Sequence, residues 1–306
     1  MQATVKSAVK FEGTGLHTGK PVRMTVHAAS AEHGIWFRRT DITDRDNLVP
    51  ALWSAVERSP LCTKIVNAAG VSVSTIEHVM AALAGCGVRN ALIDIDGPEV
   101  PILDGSAAPF VRGLLTRGLR EQASATRALK ILAPVEVVEG AARARLEPAD
   151  GFVMDFGIDF ADAAIGAQHK SLDLANGAFV HELSDSRTFC RQSDVDAMRA
   201  NGLALGGTLA NAVVVDGAQV LSPGGMRHGD EPVRHKMLDA VGDLSLAGAP
   251  IIGRYIGDRA GHAITNQLLR TLFATPGAFR FVDCDAAMAA CLPGAGVTRD
   301  DARTLH

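Results

Sequence analysis

The chain has 306 residues, of which 47% are hydrophobic, 21% charged and 5% aromatic; this excludes disorder as the main state and provides core enough to fold without disulfides or a structural metal. At roughly 150 residues per domain, the length suggests two domains. Thirty Lys and Arg against 34 Asp and Glu give a formal net charge of −4, which argues against a general nucleic-acid or anionic-membrane binder while leaving room for a local basic pocket.

Residues 4–11 and 21–27 alternate with period two and flank the glycine-rich run Gly13-Thr-Gly-Leu-His-Thr-Gly19, which predicts a hairpin with a wide loop. The run is not a dinucleotide fingerprint, because its spacing is G-x-G-x-x-x-G and no helix follows. Residues 34–39 read as a further strand. Residues 74–85 predict a helix, with Ser74-Thr-Ile-Glu77 as a capping box and Ile76, Met80 and Leu83 on one face. A strand over 90–96 and a helix over 107–118, stopped by Gly118, follow. Residues 120–127 are polar and aperiodic and read as the interdomain linker.

The second half reads as strands over 128–138, 141–146 and 152–160, and short helices over 177–183 and 195–201. Residues 212–215 and 219–221 form a hairpin around Asp216-Gly217. Helices over 233–246 and 263–273 close the fold, and the tail after Pro293 is expected to be loose. Strand runs followed by helices, twice, predict an α+β fold of two similar domains, 1–124 and 125–306, rather than a doubly wound parallel sheet.

The five cysteines, Cys62, Cys86, Cys190, Cys284 and Cys291, are scattered, and no CxxC pair occurs; a thiolate zinc site is therefore not expected and a reducing compartment is. Residues 1–13 alternate and carry no apolar signal-peptide core. The most apolar run, 79–88, is broken by Gly85 and Gly87 and is too short to span a bilayer. A soluble cytoplasmic protein without stable membrane insertion is expected.

Within Val233-Arg-His-Lys-Met-Leu-Asp-Ala-Val-Gly-Asp243, His235 and Asp239 stand four apart and project from one helix face. Imidazole and carboxylate at that spacing suit a divalent metal such as zinc. An isolated pair of this kind is more often a surface contact. Here Met237, Leu238 and Leu244 leave no clean solvent face, so the charges are buried and need partners. A catalytic zinc keeps three protein ligands, and His78 can supply the third, with Glu77 placed to take a proton; Glu77 could equally be only a capping residue. His262, at a glycine-marked helix start, is either an N-cap or a protonated imidazole held charged by a carboxylate such as Asp243. In Ser186-Arg-Thr-Phe-Cys190, Thr188 can donate to an oxyanion and Phe189 can cover a sugar ring, although loop decoration is the commoner reading.

Thr75-Ile-Glu-His-Val79, Gly15-Leu-His-Thr-Gly19, Asp104-Gly-Ser-Ala-Ala-Pro-Phe110, Ser186-Arg-Thr-Phe189, the 233–243 segment and Gly261-His262 together closely resemble the UDP-3-O-acyl-N-acetylglucosamine deacetylases of lipid A synthesis, over about residues 5–282. The resemblance implies two α+β domains with helices sandwiched between outer sheets and the site at their interface. It implies zinc, with Fe2+ as an alternative in the cell, on His78, His235 and Asp239. Glu77 is then the general base and His262 the general acid, oriented by Asp243. Thr188 holds the oxyanion, Lys236 lies near the sugar and diphosphate, and Phe189 borders the glucosamine ring. Phe160 would stack on the base beside Asp159, and Arg259 would lie near the diphosphate. Leu16, Leu61 and Cys62 match positions lining the metal cleft. Val195, Met198, Gly207 and Ala212 match the unit that forms the acyl-chain tunnel. Cys190 stands where the family often has glycine, and Arg143 stands in place of a lysine. The implied partner is a small-molecule UDP-sugar-lipid substrate bound by a monomer, and opposed acid and base groups imply a bell-shaped pH profile. The alternatives are a zinc amidohydrolase for another N-acyl amino sugar and a catalytically silent nucleotide-sugar-lipid binding protein. Glu77 discriminates against the latter, since a structural zinc site gains nothing from a free carboxylate beside a ligand.

Overall fold

A computed structural model describes residues 1–304. Six helices are present among them: α1 (Glu77–Gly85), α2 (Ala108–Arg117), α3 (Gln192–Ala200), α4 (Glu231–Ser245), α5 (His262–Ala274) and α6 (Ala286–Ala290). No helix is long and apolar enough to cross a membrane among the described residues.

The first half builds a five-stranded sheet in the order Val9–Thr14, Pro21–Ala28, Ala91–Ile95, Ile35–Arg39, Leu48–Pro50. Alternation decides its faces: Val22, Met24 and Val26 of one strand are buried, while Pro21 and Arg23 are exposed. The second half builds a seven-stranded sheet around Ile251–Asp258, which runs antiparallel to Ala142–Glu147 and parallel to both Phe152–Asp159 and Arg127–Ile131. Among the described residues, no sheet mixes strands from before and after residue 125. Helix α2 packs on Val9–Thr14, α4 on Phe152–Asp159 and Ala167–Asp173, and α5 on Val135–Glu139 and Ala142–Glu147. Helices α1 and α4 pack on each other, so the helices lie between the two large sheets. This is the expected α+β architecture.

Several expectations are corrected. The strand expected over 4–11 is two strands, Ala3–Val5 and Val9–Thr14, split at the exposed Lys6-Ser7-Ala8; the first pairs with Leu119–Glu121, which overlaps the start of the segment expected to be a linker. The strand expected over 128–138 is likewise two strands, Arg127–Ile131 and Val135–Glu139. The capping box does not form. Thr75 takes φ 57°, the helix begins at Glu77, and the Ser74 hydroxyl bonds the Pro98 carbonyl instead. Residues 179–183 form a single π-helical turn. The tail after Pro293 is docked rather than loose. Its Arg299–Arg303 turn packs against α2, Ala302 is buried, and Pro293 accepts from Arg89. The strand Ile251–Asp258 has no counterpart in the sequence reading, because Gly253, Arg254 and Gly257 interrupt its apolar pattern.

All nine residues of α1 are buried, as an Ala-rich helix enclosed on every side requires. Its approach to α4 rests on Gly242, where an added Cβ would lie 2.1 Å from the Glu77 carbonyl oxygen. That contact is backbone against backbone, so no side chain can give way. Gly242→Ala is therefore expected to cost more than the roughly 1–3 kcal/mol of ordinary overpacking and to lower metal affinity as well, read by denaturant unfolding and by metal titration. Wild-type stability and metal content in the variant would rule this out.

Candidate active site

The first turn of α1 carries Glu77 and His78, and one face of α4 carries His235, Asp239 and Asp243. The close α1–α4 contact brings these together. One ligand atom from each of His78, His235 and Asp239 lies within 4.8 Å of the others, and all three residues are buried. Asp239 Oδ1 is 3.3 Å from His235 Nε2 and 3.6 Å from His78 Nε2. Ligand bonds of about 2.0–2.2 Å at tetrahedral angles place donor atoms roughly 3.3–3.6 Å apart, the separations seen here. Asp239 Oδ1 is also a buried oxygen without a hydrogen-bond donor. A donor set of two imidazoles and one carboxylate, with that oxygen facing both rings, fits a divalent metal.

The imidazoles are held in different states. His235 Nδ1 donates to the Ser186 carbonyl at 3.0 Å, which leaves Nε2 free to act as a ligand. Burial pushes His235 down to about 4, so the ring is neutral. His262, at the start of α5 after the extended Gly261, donates from Nδ1 to Asp243 Oδ2 at 2.8 Å. Burial acts downward on His262 as well, but the carboxylates of Asp243 and Glu77 outweigh it and raise the ring to about 9. His262 is therefore an imidazolium at neutral pH. Its Nε2 lies 3.9 Å from Glu77 Oε1 and 4.0 Å from Asp239 Oδ2.

Burial raises the Glu77 carboxyl above its ordinary value, and that carboxylate accepts from the Thr63 amide at 3.0 Å. The Thr63 hydroxyl in turn donates to Asp243 Oδ1, so Thr63 ties the two acids together. Thr63 escaped the sequence reading; its only signal was its place next to Leu61-Cys62. Lys236 Nζ bonds Asp239 Oδ2 at 2.8 Å, and that pairing keeps the ammonium charged against desolvation.

Thr188 is placed from both sides of its loop. Its amide donates to the Gly105 carbonyl at 2.8 Å, so the Asp104-Gly105-Ser106 turn, expected only to join strand and helix, also braces this loop. On the other side, the fully buried Glu231 accepts from the Arg187 amide and guanidinium and from the Arg227 amide. This clamp fixes residues 186–188, and with them the Ser186 carbonyl that orients His235.

A cleft of about 760 Å3 opens beside these groups. Leu16, Leu61, Phe160, Thr188, Phe189, Val195, Met198, Gly207 and Ala212 line it, together with His235, Lys236, Asp239 and His262. Phe189 packs edge-on against His235 at 6.2 Å and against Phe160 at 5.4 Å. Cys62 is not in the cleft wall. It is buried, near the Glu77 carboxylate, and burial pushes its thiol up to about 11. Asp159 and Arg259 pair with each other at 2.6 Å in an exposed position outside the wall. His17, noted in sequence only as part of the glycine-rich run, lines the cleft with both ring nitrogens unpaired. Its loop is held by the buried Glu99, which accepts from the amides of His17 and Thr18.

Burial alone would raise the Glu231 carboxyl, yet Arg187 and the two amides hold it below the ordinary glutamate value of 4.5. A carboxylate depressed by folding stabilises the fold above its unfolded value and loses that contribution as pH falls through its folded one. Wild-type stability should thus fall more steeply below about pH 4.5 than that of Glu231→Gln, although the variant, left with an unpaired buried cation, starts about 3–5 kcal/mol lower. Urea unfolding across pH 3–6 reads the slopes, and parallel slopes would exclude the assignment.

The chain matches the UDP-3-O-acyl N-acetylglycosamine deacetylase family over residues 2–274. It is 51% identical over 279 residues to a Phenylobacterium zucineum protein named UDP-3-O-acyl-N-acetylglucosamine deacetylase, covering 91% of this chain and 95% of that one. It is 45% identical over 300 residues to the protein of that name from Shewanella frigidimarina, covering 96% and 98%. With a match across most of its length and a converged metal-ligand triad flanked by a carboxylate and an imidazolium, the chain belongs to the UDP-3-O-acyl N-acetylglycosamine deacetylase family.

Proposed function

We propose that this chain hydrolyses the N-acetyl group of UDP-3-O-(3-hydroxyacyl)-N-acetylglucosamine, giving acetate and the free amine, with one zinc ion on His78, His235 and Asp239. The observation that carries the reading is a buried Glu77 carboxylate facing a charged His262 next to the His78, His235 and Asp239 triad, beside a largely apolar cleft. His78, His235 and Asp239 would hold the ion, which would supply Lewis-acid polarisation of the amide carbonyl and acidify water.

Amide hydrolysis needs a nucleophile and a protonated leaving group. Glu77, raised by burial, takes the proton from water as its oxygen bonds to the carbonyl carbon. Thr188 donates to the oxygen that gains charge. When the C–N bond breaks, the nitrogen cannot leave as an anion, and His262 gives it a proton from Nε2. Asp243 keeps that ring charged and aimed, and so acts as its positioning residue. Lys236 offers a cation to the sugar and diphosphate, Phe189 covers the glucosamine ring, and Phe160 is placed to stack on the base. Leu16, Leu61, Val195, Met198 and Gly207 form the acyl-chain wall. The Asp159–Arg259 pair reaches the nucleotide only if it opens from its present contact. The reading carries with it a cytoplasmic, monomeric enzyme.

Acetate release from UDP-3-O-(3-hydroxymyristoyl)-N-acetylglucosamine, with UDP-N-acetylglucosamine as control, tests this after chelation and re-addition of zinc or Fe2+, since the same donors accept both. Restored release from the acylated substrate alone is expected. Equal release from both would leave an amidohydrolase without lipid specificity, and none from either would favour a binding role.

Variants separate the roles. His78→Ala and Asp239→Ala should lose metal. Glu77→Ala and His262→Ala should keep near-normal metal content yet lose about 10²–10⁴-fold in turnover. Undiminished turnover in the latter pair would sink the acid–base assignment.

A further inference from the structure

A second cavity, of about 470 Å3, shares no lining residue with the catalytic cleft. It lies on the reverse side of the α1–α4 pair. Met80, Leu83 and Ala84 of α1 and Val241 and Leu244 of α4 form its apolar wall. These α4 positions project away from the face that bears His235, Asp239 and Asp243. Its volume falls within the usual range for a small-molecule site, and its lining is mostly apolar with a few polar groups.

Its charges are unbalanced. Arg89 and Arg127 both line it. The Arg89 guanidinium donates to the Pro293 carbonyl at 3.1 Å, and no carboxylate pairs with it among the described residues. Burial pushes this group down to about 10, which means desolvation acts on it without a compensating anion. Arg127 lies over the Phe281 ring, 4.7 Å from its centroid, and likewise has no carboxylate partner among the described residues. The wall also holds one acid, Glu32, which is exposed, accepts from the Gln2 amide and pairs with neither arginine among the described residues, so two guanidinium groups face one carboxylate. A desolvated cation with no partner is costly, and a planar guanidinium pairs best with a carboxylate, which it can bind through two parallel N–H groups.

We infer that this cavity binds a long-chain carboxylate, with its headgroup on Arg89 and Arg127 and its hydrocarbon tail along the Met80–Leu83 and Val241–Leu244 wall. A small inorganic anion would leave the apolar wall unfilled, and a cationic amphiphile would meet two unpaired guanidinium groups. The inference is independent of the deacetylase reading, because it uses neither the cleft nor the metal ligands.

Calorimetric titration of the full-length, metal-loaded chain with dodecanoate tests it. Two classes of site are expected. One is removed by Val195→Trp, which obstructs the catalytic cleft. The other survives that substitution, weakens at least about tenfold in Arg127→Gln, and vanishes in Ala84→Phe, which fills the cavity. Arg127 is exposed, so its variant folds and keeps acetate release. Dodecyltrimethylammonium, with the same tail and the opposite charge, should leave the second class empty. A single class lost in Val195→Trp overturns the inference, as does a surviving class unmoved by Arg127→Gln and Ala84→Phe. Failure of the deacetylase reading shows separately, as absent acetate release.

Discussion

The site depends on how closely two helices approach. The Glu77 carbonyl meets α4 at Gly242, nearer than any side chain would permit. Helices that pack through side chains keep their axes about 8–10 Å apart. Removing the Cβ at the crossing lets the first turn of α1 sit against the middle of α4. Glu77 and His78 then arrive beside His235, Asp239 and Asp243 without long side chains having to reach. The close crossing therefore lets backbone packing place these side chains, with buried partners holding them in position.

That packing also concentrates charge. Three carboxylates and three imidazoles share one buried region. Burial keeps His235 neutral even with Asp239 beside it, whereas at His262 the carboxylates of Asp243 and Glu77 outweigh burial and hold the ring charged. Two residues of one type are thus held in different charge states by their surroundings. The Arg187–Glu231 clamp belongs to the same design. It holds the carbonyl that selects the His235 tautomer, although neither of its charges touches the triad.

What the sequence revealed followed the range of the interaction. The spacing of His235, Asp239 and Asp243 was legible because a helix repeats on a fixed period. The turn at Asp216-Gly217 and the stop at Gly118 were legible because backbone chemistry decides them locally. Thr63, the Ser186 carbonyl and Glu231 were not, since each acts across a separation in chain that no local pattern records. Ser74-Thr-Ile-Glu77 matched a capping box but formed none, because Thr75 turns left-handed and the helix starts only at Glu77, which frees its carboxylate for Thr63. The central strand Ile251–Asp258 was hidden by glycines that its packing requires: an added Cβ at Gly257 would lie 2.7 Å from the Phe156 ring. Membership of the family, resting on several motifs in order, showed more of the site than any single spacing did.

Thr63 has a further consequence. Its amide holds the Glu77 carboxylate and its hydroxyl holds Asp243, which in turn aims His262. Glu77 and His262 are therefore referenced to one residue rather than to two independent supports. A displacement of the segment around Thr63 would carry both groups in the same direction, so the spacing between the Glu77 carboxylate and the His262 ring would vary less than the position of either.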